Sequence, residues 1–233
     1  MKTYVSLGIG DLFFLDSILT KEEKESISEI YWACRFGYVM KDLMENNPSY
    51  PNLTAQHTID ERIGREAMAT LDPVAIPFWH FRPDFQPNFQ VGLKLFGIEE
   101  EWDNLNLQIV DAVSMFQDPE RPFQESSFVK HAKKVDEDYI VFHYPTSTRP
   151  RSDIAQITDD DVKFVNELSQ ETGYPVYIIS DHEVNLAIDN QKLLVNIPIT
   201  DVKDYVVGCK YYAGCDSFCS ILAAKALPKE NLF

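Results

Sequence analysis

An α/β protein in two halves, each built on an open parallel sheet, is the architecture expected of this chain of 233 residues. Three observations point there. Between residues 138 and 228, short apolar β-rich runs alternate with helical patterns about every 20 residues, the signature of parallel strands joined by helical crossovers. The amino terminus opens on the same theme of strand, glycine turn, helix and strand. Between the two, residues 118–134 carry Pro119, Pro122 and several charges, and read as a crossing from one half to the other. Domains are accordingly expected at 1–123 and 138–233, facing each other, with 124–137 as the connection.

The elements follow in order. Tyr4-Val5-Ser6-Leu7 reads as the first strand and Gly8-Ile9-Gly10-Asp11 as a tight turn. Leu12, Leu15, Ile18 and Leu19 make one face of a helix, and Ile30 to Cys34 the second strand. The middle is less regular. Residues 60–71 and 89–96 have helical character, and the aromatic, proline-rich stretch 76–85 suits a packed loop. Asp138 to Tyr144 is a strand. Thr158 caps a helix whose first turn holds Asp159, Asp160 and Asp161, acids placed on the positive end of the helix dipole, and Gly173 ends it. Strands follow at 174–179 and 193–197, then a short helix from Thr200-Asp201, a strand at 210–215, and a last helix from Phe218 to Leu227 that Ser217 caps and Pro228 stops.

Composition excludes several classes. Hydrophobic residues make up 45% and charged residues 25%, ordinary values for a packed domain. A formal charge of -16 repels phosphate backbones and anionic lipid, so neither nucleic acid nor a membrane surface is an expected partner. No apolar run reaches the roughly 18 residues of a transmembrane helix, and Met1 to Gly8 lacks the pattern of a secretory signal. Cys34, Cys209, Cys215 and Cys219 form no C-x-x-C pair, which suits reduced, mostly buried thiols and a cytoplasmic location.

Five stretches are able to carry chemistry. In Gly8-Ile9-Gly10-Asp11 the glycines let backbone approach a ligand, and Phe13 stands where a dinucleotide fingerprint needs its third glycine. Asp11 is either a helix cap or a general base facing a cleft. His143-Tyr144-Pro145-Thr146-Ser147-Thr148-Arg149-Pro150-Arg151-Ser152 gathers hydroxyls and guanidinium groups just past a strand. It is either an exposed loop whose arginines meet neighbouring carboxylates or a phosphate-binding loop. Asp216-Ser217 lies at a strand end and opens a helix of small residues, as a cap or as a pyrophosphate site. Glu183 follows a strand, as a solvated acid or as a partner for a ribose hydroxyl. Trp79 to Asp84 suits aromatic packing more than an acceptor site.

Taken together these residues resemble glycosyltransferase family 9, the ADP-heptose:lipopolysaccharide heptosyltransferase group of GT-B fold. The resemblance is carried by Gly10-Asp11-Leu12 after the first strand, by His143-Tyr144-Pro145-Thr146-Ser147-Thr148 with Arg151, by Glu183, and by Asp216-Ser217 with the trailing Leu222-Ala223-Ala224. It covers roughly residues 3–19 and 139–228, and the motif's glycine and histidine are Phe218 and Ile221 here. It implies two Rossmann-like domains facing a cleft, the C-terminal one shortened. It also implies a catalytic base at Asp11 and a nucleotide-sugar site at Gly10, Ser147, Thr148, Arg151, Glu183, Asp216 and Ser217. The implied reaction is inverting transfer of a hexosyl or heptosyl group from a nucleotide-diphosphate sugar to a saccharide or glycolipid hydroxyl, with no metal or other cofactor. The alternative is a non-catalytic relative that binds a nucleotide or a glycan.

Overall fold

The computed structural model describes residues 2–5, 9–32, 37–58, 96–97, 107–110, 123–133, 135–144, 157–215 and 217–233. The expected helices at 60–71 and 89–96, apart from Phe96, and the packed loop at 76–85 lie outside them. The chain divides into two compact units, Met1–Ser127 and Phe128–Phe233.

The first unit runs β1 (Lys2–Val5), α1 (Ile9–Ile18), α2 (Lys21–Ser26), β2 (Glu29–Trp32), α3 (Gly37–Met44), β3 (Ala55–Thr58) and β4 (Leu107–Val110). Its sheet has the order β3-β2-β1-β4, with every pair parallel, and Lys2 stands opposite both Glu29 and Leu107. The sheet begins two residues earlier than the sequence reading has it. The helix begins at Ile9, so Gly10 and Asp11 lie inside the first turn of α1 rather than in a turn ahead of it. Helix α2 starts on a capping box. The Thr20 hydroxyl accepts from the Glu23 amide at 3.2 Å, and the Glu23 carboxylate accepts from the Thr20 amide at 2.8 Å. Met40, Leu43 and Met44 bury one face of α3, while α1 buries Leu12, Phe13, Leu15 and Ile18, with Leu19 buried just beyond its end.

A charged group sits inside this apolar packing. Asp16 is 0% exposed and pairs with buried Lys24 at 3.0 Å. Its two oxygens also accept from the Tyr50 hydroxyl at 2.9 Å, the Ser126 hydroxyl at 2.9 Å, and the Ser127 amide and hydroxyl at 2.6 and 2.8 Å. The carboxylate thereby joins α1, α2, the loop before β3 and the chain segment that leaves the unit. The Gln124 amide, donating to the Ser17 carbonyl at 2.6 Å, adds to the same junction.

Close by, the Thr3 hydroxyl is fully buried and has no hydrogen-bond partner among the described residues, beside a void of about 10 Å³ among Leu12, Leu15, Ile30 and Trp32. That is the lower bound for one water, and the walls offer it few polar partners. Thr3→Val keeps the β-branched shape and removes the orphan hydroxyl. It is expected to raise the stability of the first unit by about 1 kcal/mol, read as a higher urea midpoint of tryptophan fluorescence. A lower midpoint would show that the hydroxyl is satisfied in solution.

The short helix α4 (Ser127–Lys130) spans the division. The second unit continues with β5 (Ile140–His143), α5 (Asp159–Thr172), β6 (Val176–Ser180), β7 (Gln191–Val195), α6 (Ile199–Gly208), β8 (Tyr211–Gly214), α7 (Phe218–Ala226) and a 3-10 turn at Lys229–Asn231. Its order, β7-β6-β5-β8, repeats that of the first sheet, again all parallel, with Ile140 opposite Val176 and Tyr211. Beyond β8, Leu232 pairs with Tyr212 in parallel, and the Phe233 amide donates to the Tyr212 carbonyl at 2.9 Å.

Helix α5 is bounded as its sequence dictates. Thr158 and Asp161 form a capping box, and Gly173 takes the left-handed conformation (φ 73°) that glycine adopts without a Cβ penalty. The helix buries Val162 and Val165 against Ile140, Phe142, Val176, Ile178 and Ala213 of the sheet. Strand alternation turns Val141, His143, Tyr177, Ile179 and Tyr212 to the opposite face. There the Tyr139 hydroxyl donates to the Tyr205 carbonyl of α6 at 2.9 Å, and His143 meets α7. Cys209 and Cys219 are buried free thiols, Cys215 is half-buried, and Cys34 lies outside the described residues.

Candidate functional site

In both sheets the strand order places the first strand between the second and the fourth. The crossovers therefore leave the first strand toward opposite edges of the sheet, and a crevice opens at the carboxyl ends of the first and fourth strands. In the first unit that place lies beyond Val5 and Val110, next to the start of α1. Gly10 is half-buried there, and the Asp11 backbone lies in the first turn of the helix.

In the second unit the same place lies beyond His143 of β5 and Gly214 of β8, which are register partners. Ser217 follows three residues later in extended backbone and caps α7. Its hydroxyl oxygen accepts from the amides of Cys219 at 3.2 Å and Ser220 at 3.4 Å, and its own amide donates to the Ser220 hydroxyl at 2.9 Å. The same hydroxyl lies 3.1 Å from Nδ1 of His143, and which of the two donates depends on the tautomer of the ring. His143 is 8% exposed, and burial pushes its pKa down to about 4, against a smaller opposing pull from Asp181. The ring is neutral at pH 7, and Phe218 packs edge-on against it with centroids 6.2 Å apart.

Two further features mark this corner. Tyr212 is 2% exposed, and burial holds its hydroxyl pKa well above the ordinary 10, against a smaller opposing effect of the neighbouring Ser217 hydroxyl. Gly214 brings β8 close to β5. A Cβ there would lie 2.9 Å from the Tyr212 hydroxyl and 3.0 Å from both the Cβ and the carbonyl oxygen of His143. Gly214→Ala is therefore expected to cost about 1–3 kcal/mol of second-unit stability, because two of those three atoms belong to a strand that cannot move aside. A drop in the urea midpoint by far-UV circular dichroism checks it, and an unchanged midpoint would show that the strands part easily. The nearby Cys219 thiol is pushed well up by burial, so it is packing and not a nucleophile. On the α5 side of the sheet, a cavity of about 110 Å³ opens among Phe142, Asp161, Phe164, Cys215 and Phe233.

Of the residues the sequence singles out, Ser217 stands at this corner with its hydroxyl engaged inside the turn. Glu183 is exposed in the loop that follows β6, on the other side of β5. Ser147, Thr148, Arg151 and Asp216 lie outside the described residues, as do Arg149 and the rest of 145–156. The pairing of His143 with Ser217 and the buried Tyr212 hydroxyl escape the sequence. The first joins positions 74 residues apart, and the second has no sequence signal at all. Among the described residues no three His, Cys, Asp or Glu side chains are grouped to hold a metal ion, and no helix is long and apolar enough to cross a membrane.

No protein-family model matches the chain, and no curated protein matches it. Solved structures do. The glycosyl transferase family 9 protein of Veillonella parvula DSM 2008 aligns with a TM-score of 0.55 at 10% identity, over 97% of this chain and 78% of its own. The ADP-heptose lps heptosyltransferase II of E. coli aligns at 0.51 and 13% identity, over 97% and 83%. The iron-containing dodecameric glycosyltransferase TibC of enterotoxigenic E. coli H10407 aligns at 0.52 and 16% identity, over 97% of this chain and 56% of its own. A second TibC structure holds ADP-D-beta-D-heptose. At these identities the likeness carries the fold. The two parallel α/β sheets have the architecture of GT-B glycosyltransferases, and the chain resembles a divergent family 9 protein.

Proposed function

We propose, from that shared fold, that the chain is a glycosyltransferase-like protein that takes a nucleotide-diphosphate sugar and transfers its sugar, with inversion and without a metal, to a hydroxyl of a saccharide or glycolipid. The donor side is assigned to 138–233 and the acceptor side to 1–123. The observation that carries the reading is the corner at β5, β8 and α7. A helix start, a neutral buried imidazole and a buried tyrosine hydroxyl gather where an open parallel sheet binds ligands, in a fold shared with sugar transferases.

In this reading the diphosphate is held by the start of α7 that Ser217 caps, with Asp216, Ser147, Thr148 and Arg151 as its further binding residues, while Glu183 bonds a ribose hydroxyl. The Asp11 carboxylate removes the proton of the acceptor hydroxyl as its oxygen attacks the anomeric carbon. The bond from that carbon to the diphosphate breaks, and the electron pair leaves on the diphosphate oxygen. Arg151 and the helix start offset the charge that develops there. Gly10, in the first turn of α1, lets the substrate approach backbone closely.

Incubation with a panel of nucleotide-diphosphate sugars and saccharide acceptors, read as release of nucleoside diphosphate, tests this. Asp11→Asn is expected to lower transfer by about 10²-fold or more while leaving nucleoside-diphosphate affinity within about threefold. Full transfer by that variant overturns the assignment of the base. A second reading, a nucleotide- or glycan-binding protein without turnover, is favoured by Phe218, whose ring fills space against His143 where the family motif has glycine. Binding of a nucleotide sugar with no product selects it.

A further inference from the structure

We propose that His143 is the positioning residue of the turn that opens α7, tying the carboxyl end of β5 to that helix start through its Nδ1 bond to Ser217. Its part in ligand binding rests on the donor reading above; the bond itself rests on the geometry of this chain. Bonding capacity comes first. A serine hydroxyl has one proton and two lone pairs, and Ser217 turns both lone pairs to the Cys219 and Ser220 amides of its own helix. Its proton is assigned to His143 Nδ1, 3.1 Å away, in preference to the Tyr212 hydroxyl beside it, and the ring acts as acceptor on that side only while it is neutral. Burial keeps it so. The surroundings then hold the ring in one place. Gly214, its register partner, contributes no side chain, so β8 closes to within contact of the His143 backbone, and the Phe218 ring stands T-shaped to the imidazole. The Ser217 hydroxyl is thus part of the frame of the turn and not a free donor. His143 sets where that frame stands relative to β5, and does so without touching the reacting atoms.

The experiment uses the full chain. Long-range ¹H–¹⁵N correlation at pH 7 is expected to show His143 with its proton on Nε2 and a bare Nδ1; a proton on Nδ1 overturns the proposal. His143→Leu removes the acceptor, and His143→Asn returns one near the Nδ1 position. Hydrogen exchange at the Cys219 and Ser220 amides is expected to quicken about tenfold in the leucine variant and to return to within about threefold of the parent in the asparagine variant. Equal behaviour of the two variants, or no change in either, assigns the ring to packing and overturns it. Calorimetric titration with ADP adds the functional arm: about tenfold weaker binding in the leucine variant, restored by asparagine. Should the parent chain bind ADP and the leucine variant bind it equally, the positioning role falls while the donor reading stands. Should the parent fail to bind ADP or any other nucleoside diphosphate, the donor reading falls, and the tautomer and exchange data still decide the bond.

Discussion

Asp16→Ala is expected to cost the first unit about 3–5 kcal/mol, the usual consequence of removing one partner from a buried ion pair. The loss is not that of one contact. Lys24 is left inside the protein with its charge unanswered, and the Tyr50, Ser126 and Ser127 donors lose their acceptor together. Trp32, Trp79 and Trp102 all belong to the first unit, so tryptophan fluorescence in urea reads that unit alone. Lys24→Met in the same background is expected to return part of the loss, because the double variant no longer buries a lone ammonium group. A loss under about 1 kcal/mol with an unchanged urea slope would mean that water reaches Lys24 and that the junction is not closed in solution.

His143 gives the second unit an acid-labile element. Its folded pKa of about 4 lies below the ordinary 6.5, so the unfolded chain binds this proton more tightly than the folded one. Stability is then full above pH 6.5 and is lost as the pH falls from 6.5 through 4. The amount is on the order of 3 kcal/mol for a group this deeply buried. Asp161, held below its ordinary 3.8 by the Thr158 backbone and hydroxyl, gives up its share further down, so the two windows separate. The check is the urea midpoint by far-UV circular dichroism between pH 7.5 and 4, in the parent and in His143→Asn. The parent is expected to fall more steeply through this range. Parallel curves would show that His143 protonates freely in the folded protein.

What the sequence disclosed follows from how local each signal is. Helix α5 was legible at both ends because Thr158, Asp161 and Gly173 act within one turn of themselves. Strands β5, β6 and β8 were legible because apolar runs such as Ile140-Val141-Phe142 are buried on both faces. Strand β3 was not: Ala55-Gln56-His57-Thr58 is half-buried throughout and carries neither alternation nor a β-rich run. Helix α2 is hard to read, because its six residues carry no apolar stripe, although Thr20 and Glu23 spell a capping box. Gly10 and Asp11 suggested a turn by composition, but the helix takes them into its first turn, where glycine and aspartate are both tolerated. Of the candidate site, Ser217 was visible as a cap. Asp16 carries a signal of its own, an acid on the stripe made by Leu12, Leu15 and Leu19.

The repeated strand order also sets a sequence of events in time. In the second sheet β6 and β7 join residues about 15 apart and β5 and β6 about 36 apart, whereas β8 returns to β5 across about 70 positions. Loop closure makes that last pairing the slowest to nucleate. The β5–β8 border is then a late arrival on the folding pathway. Damage to it is borne by the unfolding rate, so the lifetime of the assembled protein, more than the speed of its formation, depends on how firmly that border is held.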